Sequence, residues 1–447
     1  MGPGDARTGM AICSSTAMSP VFQNCSMPVP NANTPGQGSF PGSFLVPGTN
    51  TSFAAHGIVF FDIYRDFGVH GQGSGGFGGS GANQFQGWGA TAGNLAQHAM
   101  NGGTDMDDHP IRPNFETRTP TSYGELKTYI EIDFNDVSGT QNAGNQDIVR
   151  LRQGYGTLGP WLMGQTKNLF DDIQVYPDLA DAGLDAGMRA STIVHVPQIR
   201  YTYLIGGGFL VAGAVEMPTK TGVTLFTQGG AVAAITDDDV GIASNTGYIQ
   251  IPDFALRTQW DQPWGHLALN GVLHQINVRN VGGVTGEPAG NAGFKTQTEG
   301  EAVGLTGHVN TFGKDRLAGG VEWIRGVADL NTTFTADAVM NGTTGAVDPL
   351  TNYSIYANYE HFFNGQWRAN GTFGYSKFLD NIGVLGRSNT AAAAGIVRRV
   401  LTTHLNAIYS PVPQTDFITE WWHVEIAQRS SANLTDNRLI EQFKFYY

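Results

Sequence analysis

Apolar and polar residues alternate at every second position through most of the chain beyond residue 51. In the run 125–134, for example, Leu126 and Ile130 alternate with Lys127 and Glu131. Successive side chains of a β-strand point to opposite faces, so this period predicts strands with one apolar and one polar face. Runs of this kind, rich in Tyr, Phe, Val, Ile and Thr, predict sixteen strands. They lie at 52–66, 112–119, 123–135, 147–158, 161–168, 191–204, 208–217, 247–260, 264–278, 294–312, 315–330, 351–363, 366–378, 395–410, 414–427 and 436–447.

The breaks between these runs alternate between tight turns and long loops. The tight breaks contain the Gly, Pro, Asn and Asp that reverse turns require, and they lie at 119–124, 159–161, 205–208, 261–264, 313–315, 363–366 and 410–414. The long breaks lie at 67–111, 136–146, 169–190, 218–246, 279–293, 331–350, 379–394 and 428–435. A soluble sandwich has no reason to sort its turns by length, whereas a membrane barrel places short turns at one end.

The pattern therefore predicts an all-β protein, a closed antiparallel transmembrane β-barrel of about 16 strands. Short turns would face the periplasm and long loops the outside. The barrel would occupy residues 51–447. Residues 1–50, rich in Pro, Gly, Ser, Thr and Asn, predict a disordered or extended N-terminal arm.

Composition agrees with a barrel. Charged residues make up 14% of the chain, well below the roughly 25% of soluble domains. No stretch approaches the about 20 apolar residues of a membrane helix. The mean hydropathy of -0.18 is modest, as expected when alternation hides the apolar half. The net charge of -13 argues against nucleic acid as a partner.

The arm holds both cysteines, Cys13 and Cys25. Their scarcity fits an oxidising compartment, and one local disulfide or two unpaired thiols are equally open interpretations. Residues 1–20 contain an arginine but no apolar stretch long enough for a signal peptide. We therefore expect either an incomplete or misassigned start, or the mature form of an exported chain.

At the other end, Phe443, Phe445 and Tyr447 share one strand face, and the last residue is aromatic. Outer-membrane barrels typically end in this way, although most end in Phe rather than Tyr.

Several segments resemble the DcaP-like family of outer-membrane porins. They are GSFLVPGTNTSF at 42–53, FETRTPTSYGELKTYIEIDF at 115–134, LRQGYGTLGPWLMGQT at 151–166, VPQIRYTY at 196–203 and PDFALRTQWDQPWGHLALNGVLHQI at 252–276. Their order matches the family, and ETRTPTSYGELKTYIE is the most specific run. After about residue 294 the likeness is chiefly strand pattern. Two features depart from the family. No N-terminal coiled-coil segment is present, and residues 67–111 form a long Gly-rich insertion.

The resemblance implies a sixteen-stranded homotrimer in the outer membrane of Gram-negative bacteria, in contact with lipid and lipopolysaccharide. It also implies transport of dicarboxylates and other anions. We accordingly predict a passive diffusion channel for small hydrophilic solutes that prefers anions. The alternative hypothesis is a plugged surface barrel that acts in binding or adhesion through loops 67–111 and 218–246. A soluble secreted all-β protein is a weaker hypothesis.

Channel selectivity comes from pore width and from charged side chains that face each other at a constriction. In general porins the third long loop folds inward, which makes the loop at about 169–190 the candidate constriction. Its charged residues are Asp171, Asp172, Asp178, Asp181, Asp185 and Arg189. Alternation predicts a basic wall opposite, and the pore-lining candidates are Arg118, Lys127, Glu131, Arg150, Arg152, Lys167 and Arg200. Alternatively, the aspartates belong to a solvated outer loop, and the arginines serve to pair with Glu116, Glu131 and Asp133.

Motifs for catalysis are missing. Neither G-x-S-x-G nor H-E-x-x-H occurs, and the eleven histidines are scattered. We expect no enzyme activity, no cofactor and no catalytic metal. Two acidic clusters, one of Asp105, Asp107 and Asp108 with His109 and one of Asp237–Asp239, have oxygen ligands that suit Ca²⁺. Exposed acidic loops are the more common meaning of such clusters.

Overall fold

A computed structural model of the chain describes residues 36–67, 104–107, 111–135, 148–180, 195–218, 223–226, 232–235, 251–279, 295–330, 337–341, 347–379, 397–428 and 434–447. The main sheet contains two short strands, Phe44–Leu45 and Thr104–Asp107, and sixteen long strands within these ranges that form the barrel. The long strands are β1 Ser52–Asp66, β2 Arg112–Thr121, β3 Gly124–Asn135, β4 Ile148–Leu158, β5 Trp161–Lys167, β6 His195–Gly206, β7 Phe209–Glu216, β8 Asp253–Gln262, β9 Gly265–Arg279, β10 Lys295–Asn310, β11 Arg316–Arg325, β12 Thr351–Phe362, β13 Trp367–Leu379, β14 Val397–Tyr409, β15 Thr415–Gln428 and β16 Leu434–Tyr446.

The sheet closes on itself. Each strand pairs antiparallel with the next, and β1 pairs with both β2 and β16. Ser52 lies opposite Arg118 of β2, and Ile58 lies opposite Tyr446 of β16. A closed barrel leaves no long unpaired edge. The predicted architecture, an antiparallel barrel of sixteen strands, is therefore confirmed.

In a soluble barrel the outward side chains would be polar. Here the outward side chains are apolar and the inward side chains are polar. Leu269 of β9 and Leu305 of β10 point outward and are 50% and 45% exposed. Their inward neighbours Asn270 and Thr306 are 1% and 2% exposed. The apolar face is thus outside and the polar face lines the interior, as in a barrel whose outer surface meets lipid.

Large aromatic side chains are exposed near the short turns. Tyr123, Trp161, Trp264, Phe312 and Phe363 belong to five different turns, and Tyr123 and Phe312 are each 81% exposed. Aromatic rings prefer the boundary between hydrocarbon and headgroups. This belt therefore marks one membrane boundary at the end of the barrel that carries the short turns.

Two predicted strands extend too far. Within the described part of the run 247–260, which begins at Ile251, the strand starts at Asp253, and the run 315–330 ends as a strand at Arg325. Gly326 then adopts a φ of 66°, and a Cβ at this position would lie 2.8 Å from Ile276 Cδ1. The glycine turns the chain inward, so the apolar residues Val327 and Leu330 pack inside the barrel instead of continuing the strand.

The interior contains an apolar cluster built from two inward segments. Leu169 and Phe170 follow β5, and Val327 and Leu330 follow β11. They pack against small inward side chains of the wall: Ala212, Ala214, Ala255 and Ala302, together with Val272 and Ile324. Alanines on the wall leave room for the larger side chains of the inward segments, and their mutual burial stabilises the pair of segments.

Outside the barrel sheet, the loops that follow β7 and β11 share a four-stranded sheet of short strands. Val223–Phe226 pairs antiparallel with Val232–Ile235 and parallel with Ala338–Asn341. Ala338–Asn341 also pairs with Val347–Pro349 just before β12. The two long loops are therefore joined by backbone hydrogen bonds. Among the described residues, no helix has the length and apolar character needed to cross a membrane.

Candidate functional site

The segment Asn168–Ala180 follows β5 and lies against the inner wall of the barrel. Its first residues are held by carboxylates and amides. The Leu169 N–H donates to Glu216 Oε1 of β7 at 2.7 Å. Asn168 and Asp171 exchange two hydrogen bonds of 2.7 Å, so the Asp171 carboxylate is partly satisfied within the segment. We call Asn168–Ala180 the constriction segment.

Asp172 is the first strong anchor of the constriction segment. Arg257 Nη2 of β8 lies 2.7 Å from its carboxylate, His266 Nε2 of β9 lies 2.9 Å away, and Thr306 Oγ1 of β10 donates at 2.6 Å. Burial alone would raise the pKa of Asp172. The Arg257 charge and the hydrogen bonds from His266 and Thr306 outweigh burial and hold that pKa well below its ordinary value.

Asp178 is the second anchor. Its carboxylate binds Arg368 of β13, and Lys444 Nζ of β16 donates to it at 3.2 Å. Burial would raise the pKa of Asp178, but the charges and hydrogen bonds of Lys444 and Arg368 reverse the shift and hold the pKa well below its ordinary value. The Asp178 carbonyl also accepts bonds from Asn370 at 3.1 Å and Asn406 at 2.8 Å.

Further bonds tie the middle and end of the segment. Arg316 of β11 donates to the carbonyls of Gln174 at 2.9 Å and Tyr176 at 3.3 Å. The Ala180 N–H donates to Glu420 Oε2 of β15 at 2.8 Å. The constriction segment therefore follows the inner wall from β7 to β16 and covers more than half of the barrel circumference. None of these hydrogen bonds runs to the arc from β2 to β6.

The uncovered arc carries a cluster of cations. Arg118 Nε lies 2.6 Å from Glu116 Oε1, and Lys127 Nζ lies 3.0 Å from Glu116 Oε2. Higher on the wall, Arg150 makes a two-point bond to Asp133, with Nε at 3.0 Å and Nη2 at 2.7 Å. These side chains belong to β2, β3 and β4 and point inward, so the sequence-predicted wall is assembled from three neighbouring strands.

A β-bulge brings Arg152 into the same cluster. The register between β3 and β4 shifts between Glu131 and Ile132, so Arg152 is an extra residue without a cross-strand partner. Its Nε lies 3.0 Å from Glu131 and its Nη1 3.2 Å from Asp133. Gln153 also points inward and is 1% exposed. Bulges commonly redirect side chains in this way, and here the bulge places two consecutive side chains on the inner wall.

The remaining candidates occupy less open positions. Arg200 of β6 points inward but is 4% exposed, and it donates to Gln198 Oε1 at 2.8 Å and to the Lys167 carbonyl at 2.7 Å. Lys167 is half-buried at the end of β5. Asp181, Asp185 and Arg189 lie outside the described residues, as do both cysteines, Asp108, His109 and Asp237–Asp239.

Sequence reasoning missed the cations that hold the constriction segment: Arg257, Arg316, Arg368 and Lys444. It also missed Arg112 of β2, whose Nε lies 3.9 Å from Asp133. Alternation places each of these side chains on an inner face, but it carries no information about which carboxylate each will meet. Within the described residues, no group of three or more His, Cys, Asp or Glu side chains could hold a metal ion.

Charge is distributed unevenly around the interior. On β2 to β6, six inward cations, Arg112, Arg118, Lys127, Arg150, Arg152 and Arg200, accompany three inward carboxylates, Glu116, Glu131 and Asp133, with Glu125 near the short-turn rim. The covered wall and the constriction segment carry mainly carboxylates: Asp171, Asp172, Asp178, Glu216, Asp253, Glu322, Glu360, Asp416 and Glu420. A passing solute would therefore meet a transverse field, positive on the uncovered arc.

The depressed pKa values of Asp172 and Asp178 predict a segment that stays docked in mild acid. A carboxylate with a lowered pKa contributes stability that is complete above its ordinary pKa of about 4 and disappears only below it. We expect the amides of residues 171–176 and 178–180, measured by hydrogen exchange and corrected for the intrinsic rate, to be equally protected at about pH 7 and about pH 5. Protection should fall as the pH drops below about 4. Loss of protection already at about pH 5 would contradict this anchoring.

A model of the porin subfamily matches residues 41–395. The structure is similar to the outer membrane channel DcaP of Acinetobacter baumannii, with a TM-score of 0.67 and 14% identity over 89% of this chain and 98% of that chain. It is also similar to an anion-selective porin from Comamonas acidovorans, with a TM-score of 0.53 and 10% identity over 89% of this chain and 100% of that chain.

A third similar structure is a loop-deletion mutant of OmpT from Vibrio cholerae, with a TM-score of 0.50 and 11% identity over 89% of this chain and 100% of that chain. At these identities the structural likeness shows a shared fold. No curated protein matches the sequence.

Proposed function

Because this chain belongs to the porin family, whose model covers residues 41–395, we propose that it is a passive diffusion porin that prefers small anionic solutes. The coarser statement follows from family and fold: the chain is a channel-type barrel of the bacterial outer membrane. The finer proposal, anion preference, depends on one observation. Inward cations on β2 to β6 outnumber the inward carboxylates beside them.

Pairing reduces this positive charge but does not cancel it. Asp133 is shared by Arg112, Arg150 and Arg152, so a single carboxylate is surrounded by three guanidinium groups. The Arg150 side chain remains 41% exposed, and its guanidinium keeps N–H donors for a second partner. A carboxylate solute could accept bidentate bonds from such a group. Two carboxylates on one small molecule would suit a cluster with several guanidinium groups, which supports dicarboxylates as a substrate class.

The proposal is tested by reversal potentials in a planar bilayer under a KCl gradient. We expect steady open steps and a reversal potential of the sign that chloride movement produces. A cation-selective pore would overturn the anion preference. A folded, inserted protein without any conductance would instead favour the plugged barrel that acts through its outer loops. Competition of small dicarboxylates with chloride current, compared with monocarboxylates at equal charge concentration, tests the substrate class.

The outer wall supports a homotrimer as a second part of the proposal. On β2 and β3, Thr117 and Thr128 point outward and their hydroxyls lie 2.6 Å apart. The neighbouring outward positions of β4 are Gly154 and Gly156. Larger outward side chains flank this patch, among them Leu126, Ile130 and Leu151, and the outward positions of β9 and β10 include Leu267, Leu269, Leu273, Val303 and Leu305. Small and hydroxyl-bearing residues allow close packing and hydrogen bonding between subunits within a membrane.

We therefore expect Thr128→Trp to convert trimers into monomers, because a large ring on this patch prevents close approach of a second wall. Mass measured by light scattering in mild detergent checks the result. The matched control is Leu305→Trp, which adds the same ring to the leucine-rich side and should leave the trimer intact. If the Thr128→Trp variant still forms trimers, the interface between subunits lies elsewhere on the barrel.

A further inference from the structure

The described residues ahead of β1 form a hairpin attached to the short-turn end of the barrel. Phe44 and Leu45 pair antiparallel with Phe53 and Ser52 of β1, and Gln37 forms a bridge with Phe44. The Leu45 N–H donates to the Gly36 carbonyl at 2.8 Å, which closes the hairpin. We call residues 36–45 the mouth hairpin. Its tip is the tight turn from Phe40 to Ser43.

The turn at the tip is well determined by local bonds. The Ser43 N–H donates to the Phe40 carbonyl at 3.1 Å, and the Gly38 N–H donates to the Ser43 carbonyl at 3.0 Å. The Ser43 hydroxyl donates to the same Phe40 carbonyl at 2.5 Å. Gly42 adopts a φ of 75°, a conformation that L side chains rarely adopt. The sequence Phe-Pro-Gly-Ser therefore builds a rigid turn that presents the Phe40 ring in one direction.

Contacts of the mouth hairpin lie on the inner face of the barrel. The Ser39 N–H donates to the hydroxyl of Ser52 at 2.8 Å, and Ser52 is 2% exposed. A Cβ added to Gly42 would lie 2.8 Å from His56 Cε1, which is also an inward position of β1. The Phe40 ring is 8% exposed and lies over Arg118, with 4.5 Å from the guanidinium carbon to the ring centroid. The tip therefore lies inside the barrel mouth, beside β1 and β2.

Arg118 thereby loses part of its availability to a solute. One face of its guanidinium is covered by the Phe40 ring, a cation–π arrangement, and its Nε bonds Glu116 at 2.6 Å. Arg118 lies directly opposite Lys127, and these two are the cations of the cluster nearest the short turn between β2 and β3. The ring and the guanidinium together occupy space in the mouth at the end of the barrel with short turns.

We propose that the mouth hairpin is a second constriction at the periplasmic end of the pore, in which Phe40 narrows the opening and shields Arg118 from solutes. The inference rests on the proposed function, since only a conducting barrel has a permeation path to narrow. Phe40 is then a specificity-determining residue. It limits the size of solutes at this mouth, and it weakens the attraction that Arg118 exerts on anions.

Two substitutions of opposite size test the constriction in planar bilayers. Phe40→Ala is expected to raise the unit conductance and to shift the reversal potential further towards that of chloride. Phe40→Trp is expected to lower the unit conductance. The matched control is Phe44→Ala in the same hairpin. Phe44 points outward, is 45% exposed, and packs edge-on against Phe53 with 5.5 Å between centroids. Its removal should leave the conductance unchanged.

A cysteine at the shielded position gives a readout that does not require conductance. Arg118→Cys is prepared in a background with Cys13→Ser and Cys25→Ser, with Phe40 retained or replaced by alanine. We expect a positively charged methanethiosulfonate reagent to modify the cysteine several-fold faster in the Phe40→Ala form. Heat-shifted mobility on a gel checks that each barrel is folded.

The outcomes separate the two proposals. One outcome is a wild-type barrel that does not conduct, while Phe40→Ala accelerates modification of the cysteine in the Arg118→Cys form. This outcome overturns the proposed channel and supports the placement of the hairpin. A conducting wild type whose conductance is unchanged in both Phe40→Ala and Phe40→Trp overturns the second constriction. Equal modification rates with and without Phe40 would overturn the shielding of Arg118.

Discussion

Reversal of the charge at Arg150 and Arg152 is expected to turn the proposed anion preference of the pore into a cation preference. In the double variant Arg150→Glu with Arg152→Glu, four inward cations would face five inward carboxylates on β2 to β6, besides Glu125 at the short-turn rim. An anion about 4 Å from a cation gains about 1 kcal/mol even in water, and more where the dielectric is lower. Since about 1.4 kcal/mol is a factor of ten, the anion-to-cation permeability ratio should fall by at least about tenfold.

Measurement of the reversal potential under a KCl gradient checks this result, with its sign as the deciding quantity. Arg150→Gln with Arg152→Gln is the milder companion, and it should weaken the preference without reversing it. Arg325→Glu is the matched control. Arg325 lies on the outer face of β11, where it pairs with Glu301 at 3.3 Å, so the same substitution reverses one charge outside the pore. An unaltered sign in the charge-reversed variant would locate the selectivity elsewhere in the channel.

Loss of Arg368 is expected to be the most destabilising single change in the interior. Arg368 of β13 binds Asp178 of the constriction segment, Asp416 of β15 at 3.1 Å and the Ser410 hydroxyl at 2.9 Å. Asp416 is 1% exposed. Arg368→Ala removes a cation from Asp416, which stays buried, and from the partly exposed Asp178, which keeps Lys444. Breaking a buried pair such as that with Asp416 costs about 3–5 kcal/mol.

The free energy of unfolding in guanidinium chloride, measured in detergent micelles, checks the size of the loss. Arg325→Ala is the control, because its partly exposed pair with Glu301 should contribute no more than about 1 kcal/mol. The variant Asp178→Asn distinguishes the stability of the barrel from the anchoring of the constriction segment. Arg368 keeps Asp416 in that variant, so the barrel should remain stable while the constriction segment loosens and open-channel noise increases. If the unfolding curve of Arg368→Ala is the same as that of the wild type, this network is not a main source of stability.

The number of strands, their order and the sorting of short and long connections were predictable from the sequence. These properties depend on neighbours along the chain. A period of two assigns each side chain to a face, and Gly, Pro, Asn and Asp mark the tight turns. The inward positions of Arg118, Lys127 and Arg150 follow from the same period. The error at 315–330 also has a local cause, since Val327 and Leu330 look like strand residues until Gly326 turns the chain inward.

The tertiary structure decided which charges meet. The bonds from Asp172 to Arg257 and His266, and from Asp178 to Arg368 and Lys444, join residues that are far apart in the chain. No periodicity encodes such partners, because they depend on the path of one segment across a closed wall. The bulge at Arg152 needs the register of two paired strands, since alternation within one strand has no signal for an extra residue.

The sequence by itself thus determined a barrel with an apolar outside and a polar inside, because those features follow from the alternation of side chains and the chemistry of turns. Only the tertiary structure decided that the constriction segment is clamped to the wall from β7 to β16, and that Phe40 enters the mouth to cover Arg118. Closure of the barrel is the physical reason. It brings distant strands around a common interior, where packing and charge select partners that separation along the chain does not reveal.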